Sequence, residues 1–196
     1  MTRDHAETDS LTDRKRRRAK EAIRRAALDL FTERGFDAVS VTDIAERAEV
    51  GRTTFFRYFG DKQEVLFSEP EPPTADAAER PPAPERIGSS MPAALAAVQR
   101  LVIDYVEGIT ADPVAYQRHQ ELVNSNPELY SRSLLKHRRY ADQLTDRLKS
   151  WGAAPAVARQ AAEMGLACFY AGQATAQDNP AILARHVERA FNRLGR

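Results

Sequence analysis

A chain of 196 residues with a formal net charge of +1 is long enough for a proper core, but carries no bulk excess of base that would by itself mark a nucleic-acid binder. A single cysteine, Cys168, excludes an internal disulfide and a cysteine-rich zinc site and fits a reducing compartment. No run of about eighteen apolar residues occurs, and the N-terminus holds acids and bases where a signal peptide needs an apolar stretch, so a soluble cytoplasmic protein without a membrane partner is expected.

Alanine is abundant while Val, Ile and Thr are sparse, which favours packed helices over sheet. Residues 1–12 are polar and lack periodicity, and read as a disordered tail. From Asp13, Ala19, Ile23, Ala26, Ala27, Leu30 and Phe31 recur at three and four residues and form one apolar stripe, closed by Gly35 in the position of a C-cap glycine. Between Leu11 and Leu30 eight bases stand against three acids, a local excess of +5 that includes Arg16 and Arg17. Such a run is either a solvated face or, beside a DNA-reading element, the phosphate-contacting end of a domain.

That element follows at once. Ser40 and Asp43 have the spacing of a capping box, Thr42 lies in the first turn of the helix they open, and Ile44, Ala45 and Ala48 supply its inner face. Val50 and Gly51 make a tight turn into a third helix in which Phe55 and Phe59, four apart, face inward. Arg52, Thr53, Thr54, Phe56, Arg57 and Tyr58 are left around its outer surface. A short helix, a turn and a second helix with one face held and one free is the geometry of a reading head for the major groove. Asp61 can cap a fourth helix, where Lys62 is placed to meet a phosphate.

Prolines at 70, 72, 73, 81, 82 and 84 make residues 70–90 a linker, with a short helix expected near 75–80, and separate a domain at 13–69 from one at 91–196. The second domain reads as five helices, each opened by a nearby proline: Pro92, Pro113, Pro127, Pro155 and Pro180. The fold class expected is therefore all-α, a three-helix DNA-binding domain with a helix-turn-helix followed by a helical bundle, to which the resemblance described next assigns ligand binding and dimerisation. Tyr105, Tyr116, His119, Trp151, Met164 and Phe169 are candidates to line a cavity for an apolar ligand, against the plainer reading that they are ordinary core.

Residues 14–67 resemble the DNA-binding domain of the tetracycline-repressor-like (TetR) family of bacterial transcription regulators. The resemblance rests on the helix ending at Phe31 with Gly35-Phe36, on Val41-Thr42-Asp43-Ile44-Ala45, and above all on TTFFRYFGDKQEVLF at Thr53 to Phe67. It implies a homodimer on a palindromic operator in double-stranded DNA, with Thr42, Arg52, Thr53, Thr54, Phe56, Tyr58 and Lys62 at DNA-contacting positions, joined through the last two helices. Repression is the function that it implies by default. FFRYFGDK and SLLKHRRYADQLTDRLKSWG (Ser133 to Gly152) also look like the subgroup with an acyl-CoA-like ligand domain, which implies an apolar or acyl-type effector of unknown identity. Three positions depart from the family pattern: Glu49 replaces the usual turn glycine, Gly51 the common serine cap and Phe56 the common tyrosine.

No glycine-rich phosphate loop, HExxH spacing or nucleophile elbow is present, so neither a catalytic nor a metal site is expected, and no cofactor. The competing reading is an architectural or partner-recruiting DNA-binding protein without a small-molecule effector. An enclosed apolar cavity in the second domain favours the sensor, and a collapsed core favours the constitutive binder.

Overall fold

The computed structural model describes residues 11–68 and 87–194; residues 1–10 of the expected tail, and 70–86 of the expected linker with its short helix, lie outside them. The described residues form nine α-helices in two compact units, Met1–Arg80 and Pro81–Arg196. No helix among them is long and apolar enough to cross a membrane.

In the first unit, α1 (Leu11–Arg34) starts two residues before the expected Asp13 and buries Ile23, Ala26, Ala27, Leu30 and Phe31 along the stripe its periodicity requires. Gly35 ends it at φ +81°, the left-handed conformation a C-cap glycine adopts without penalty, and its N–H donates to the Phe31 carbonyl at 3.0 Å. The chain turns back so that the Phe36 ring meets Phe31 at 4.9 Å. In α2 (Val41–Arg47) the capping box is complete: the Asp43 N–H donates to Ser40 Oγ, and the Ser40 N–H donates to the Asp43 carboxylate at 2.8 Å. Ile44 and Ala45 are buried.

The turn into α3 (Arg52–Tyr58) is set by Glu49, at φ +54°, and by the Val50 N–H, which donates to the Ala45 carbonyl at 2.9 Å. Val50 itself is half-buried rather than a full core plug. Phe55 and Phe59 are buried with ring centroids 5.8 Å apart, so α3 is anchored along one side only. In α4 (Lys62–Phe67) the Asp61 carboxylate accepts from the Glu64 N–H at 2.6 Å, and Val65, Leu66 and Phe67 complete the core.

The first described residue of the second unit is Ile87, which is 2% exposed and packs into the core, so the last four residues assigned to the linker from sequence are built into this unit. Gly88 fixes them: its N–H donates to the Gly152 carbonyl at 3.1 Å and its carbonyl accepts from the Ala154 N–H at 2.8 Å. Five helices follow, α5 (Met91–Thr110), α6 (Pro113–Ser125), α7 (Pro127–Ser150), α8 (Pro155–Ala176) and α9 (Pro180–Leu194). Each has a proline in its first turn, and Ser90, Asp112 and Asn126 satisfy the free N–H groups of α5, α6 and α7.

Helix α8 is the axis of this unit. Its buried residues are small except Phe169, and two are glycines where neighbours press closest. A Cβ at Gly172 would lie 2.8 Å from the Val187 backbone nitrogen of α9, and one at Gly165 would run into the Val98 side chain of α5. Val98, Val102 and Val106 from α5 and Leu183, Val187 and Phe191 from α9 fill the core around it. Arg138 and Arg159 bind Glu163 at 2.7 and 2.9 Å, and Arg159 also binds Asp142 at 2.5 Å, tying α7 to α8 on the surface.

Candidate DNA interface and effector cavity

Anchored through Phe55 and Phe59, α3 presents Arg52, Thr53, Phe56 and Arg57 to solvent within one arc of roughly 140° at 3.6 residues per turn. Thr54 and Tyr58 flank that arc half-buried. The Arg52 guanidinium makes no hydrogen bond or ion pair among the described residues, in contrast to the bases around it. Arg47 is held by Glu33 of α1 at 2.9 Å, which also keeps the Glu33 carboxyl below its ordinary range, and Arg34 reaches Asp43 at 3.6 Å. Arg57 donates to the Tyr58 hydroxyl at 3.2 Å and stacks its guanidinium 4.8 Å from that ring, so it braces Tyr58 rather than pairing with an acid on a neighbouring helix. Phe56, 49% exposed, offers an aromatic edge where sequence reasoning noted the loss of a hydroxyl.

Lys62 is committed inward. Its ammonium donates to the carbonyls of Phe36 and Val39 at 2.8 and 2.9 Å and lies 4.3 Å from the Phe36 ring centroid. Two of its three donors clamp the loop between α1 and α2, because Phe36 and Val39 leave their carbonyls without helical partners, and one donor remains for a phosphate. Arg16 pairs loosely with Asp13 at 3.6 Å, an exposed contact worth about 0–1 kcal/mol that a phosphate can displace, and Arg17 is half-buried on the same helix. Thr42 is half-buried in the first turn of α2.

A cavity of about 470 Å³ lies in the second unit between α5, α7 and α8. Leu101, Val102, Ala141, Leu144, Leu166 and Phe169 make its apolar wall, and Gly165 leaves room beside them. Tyr105, Tyr140 and His137 add an aromatic side: Tyr105 lies 5.0 Å from Tyr140 and 6.0 Å from Phe169, and His137 lies 5.1 Å from Phe169. The polar groups are few. His137 Nδ1 is 3.1 Å from the Tyr170 hydroxyl, and burial, helped by the positive charge of Lys136, pushes the imidazole down to about 4, so it is neutral near pH 7. The Tyr140 hydroxyl and the Arg147 Nε are buried without a hydrogen-bond partner, and Arg147 is the one charged residue of the lining besides the titratable His137.

Residues 23–68 match the family model described as bacterial regulatory proteins, tetR family. Those residues are thus similar to a TetR-type helix-turn-helix domain. Over 76 residues the chain is 40% identical to the HTH-type transcriptional regulator TcmR of Streptomyces glaucescens, a match covering 33% of this chain and 34% of that protein. Over 46 residues it is 48% identical to the uncharacterized HTH-type transcriptional regulator YdeS of Bacillus subtilis, covering 24% and 23%. The likeness thus spans about a third or less of these curated relatives. The solved SmeT–triclosan complex is similar at 19% identity and a TM-score of 0.49 over 89% of this chain and 88% of that one.

Within the TetR-type domain, Arg52, Thr53 and Phe56 share the exposed arc, Thr54 and Tyr58 border it, and the ammonium of Lys62 is turned to the loop carbonyls. The cavity departs further from expectation. Of the six residues expected to line it, Tyr105 and Phe169 do, and Tyr116, His119, Trp151 and Met164 do not. The reason is which helices take part and how they are turned. Tyr116 and His119 belong to α6, which contributes nothing to the lining, and Tyr116 is buried in the core, with burial pushing its phenol up to about 12. Met164 precedes the α8 row of Gly165, Leu166 and Phe169 that faces the cavity. Trp151 sits past the end of α7, outside the lining, with the guanidinium of Arg147 5.2 Å from its ring. The residues missed, His137, Tyr140, Leu144 and Arg147, recur at three and four along α7, a signal hidden by the charged residues between them. Arg138, on the same helix as Arg147, is occupied by Glu163 at 2.7 Å.

Proposed function

We propose that the chain is a sequence-specific, DNA-binding transcriptional regulator of the cytoplasm, a homodimeric repressor whose grip on a palindromic operator responds to a small apolar or acyl-type molecule. Residues 13–69 form the DNA-binding domain, the linker runs from residue 70 to the start of the packed chain at Ile87, and the remainder is the domain for ligand binding and dimerisation. The observation that carries the reading is the Arg52 guanidinium, without a partner among the described residues, on the exposed arc of α3 in a TetR-type domain. A planar fork without a protein partner matches guanine O6 and N7, while Thr53 and Thr54 can touch phosphate or a thymine methyl and Phe56 a thymine methyl. Tyr58, Thr42, Arg16, Arg17 and the third donor of Lys62 meet the backbone, which sets register without reading sequence.

The reading as a sensor rather than a constitutive binder is supported by the apolar cavity of about 470 Å³, half open to solvent and within the roughly 300–1,000 Å³ of small-molecule sites. Dimerisation is supported by the outward face of α8, where Ala167, Ala171 and Ala174 are exposed at spacings of four and three and leave a helix surface low enough for close approach of a second copy.

Selection of fragmented genomic DNA by the purified protein at near-physiological salt, followed by binding isotherms on the enriched site, tests the proposal. An enriched palindrome is expected, and Arg52→Ala should cost about 1–3 kcal/mol on that site and little on scrambled DNA. Equal losses on both DNAs would remove the reading role of Arg52, and no enrichment by a folded dimer would remove sequence-specific regulation.

A further inference from the structure

Resting on the reading of the cavity as an effector site, we infer that its ligand is an organic monoanion, a carboxylate or phenolate on a flat apolar body, whose charge is taken by Arg147. The wall is apolar and aromatic, yet among the described residues one permanent positive charge faces it and no carboxylate lines the cavity to balance that charge. Nor does Arg147 pair with an acid anywhere among the described residues: its guanidinium packs over the Trp151 ring, and its Nε is buried with no acceptor. A buried donor on a charged group is costly when unmet, and an anionic oxygen is the acceptor that repays it most. The stacking on Trp151 holds the planar fork in place before a ligand arrives.

The same geometry excludes other classes. A cation meets an uncompensated like charge. A nucleotide or CoA thioester brings several phosphate charges to a cavity with a single permanent base, because Arg138 is neutralised by Glu163 on the surface and His137 is neutral. A wholly apolar molecule fills the wall but leaves Arg147 and the Tyr140 hydroxyl unsatisfied. Tyr105, Tyr140 and Phe169 pack on one another at 5.0 and 6.0 Å and present a continuous aromatic side, a surface that suits a ring system rather than a flexible chain.

Isothermal titration of the full chain with biphenyl-4-carboxylate and with the isosteric neutral biphenyl-4-carboxamide tests the inference. The wild-type protein should bind the acid at least tenfold more tightly than the amide. Arg147→Met should abolish that preference, and Arg147→Lys, which keeps the charge but loses the fork, should retain part of it. Equal affinities for acid and amide in the wild-type protein, a comparison that needs no variant to fold, would overturn the anion assignment and leave the cavity as an effector site. An undiminished preference in Arg147→Met would overturn it equally. Failure of both probes to bind the wild-type protein would overturn the effector reading of the cavity and this inference with it.

Discussion

At the turn between α2 and α3 a single residue carries backbone strain that its side chain does nothing to relieve. Glu49 occupies φ +54°, a conformation that costs a non-glycine residue on the order of 1 kcal/mol or more and glycine almost nothing. Glu49→Gly should therefore raise the stability of the TetR-type domain by about 0.5–1 kcal/mol after the added freedom of the unfolded chain is subtracted, read as a shift in the denaturant midpoint. The sequence showed the departure at this position. It left open whether the turn would change, and the backbone keeps the left-handed bend with the wrong residue in it. His137 carries a second single-residue liability. Its imidazole titrates at about 4 in the folded chain against about 6.5 when unfolded, so below pH 6.5 the unfolded state takes up the proton first. The contribution is complete above pH 6.5 and is lost progressively as pH falls to about 4. In thermal melts across that window His137→Gln should flatten the decline, and an unchanged slope would mean that the ring is not buried neutral.

Elements were the level at which the sequence was most legible. Prolines at the first turns, capping side chains and apolar spacing are local signals, and they place α5 to α9 nearly residue for residue because helix ends are decided by neighbours in the chain. Which side of a helix faces a cavity is decided by distant packing, and there four of the six expected residues fell elsewhere. The crossing of α8 with α9 shows why. It depends on Gly172, whose missing Cβ admits the Val187 backbone, while Gly165 admits only a side chain of α5. Overpacking against rigid backbone cannot relax as a valine rotamer can. Gly172→Ala should accordingly cost about 1–3 kcal/mol despite alanine's better helix propensity, and Gly165→Ala distinctly less. Equal costs in chemical denaturation would show that the two crossings are equally rigid.

For the molecule as a whole, the proposed dimer makes the exposed alanines of α8 decisive. Ala171→Arg puts a long cation on that face without touching the buried side of the helix, where Ala161, Ala162, Gly165, Cys168 and Phe169 lie. Light scattering should then report a monomer that still melts near the wild-type temperature and binds operator DNA at least tenfold more weakly, since two reading heads no longer act together. A dimer of unchanged mass would place the interface elsewhere. One further property follows from Trp151. It is the only tryptophan in the chain, it lies under the guanidinium of Arg147, and its carbonyl accepts from the N–H of Ile87 at 3.4 Å, where the chain enters the second unit. Ultraviolet emission of the unlabelled protein therefore comes from one indole, placed at the cavity's charged residue and at the unit's first backbone contact. Its wavelength and lifetime are a built-in gauge of what reaches Arg147.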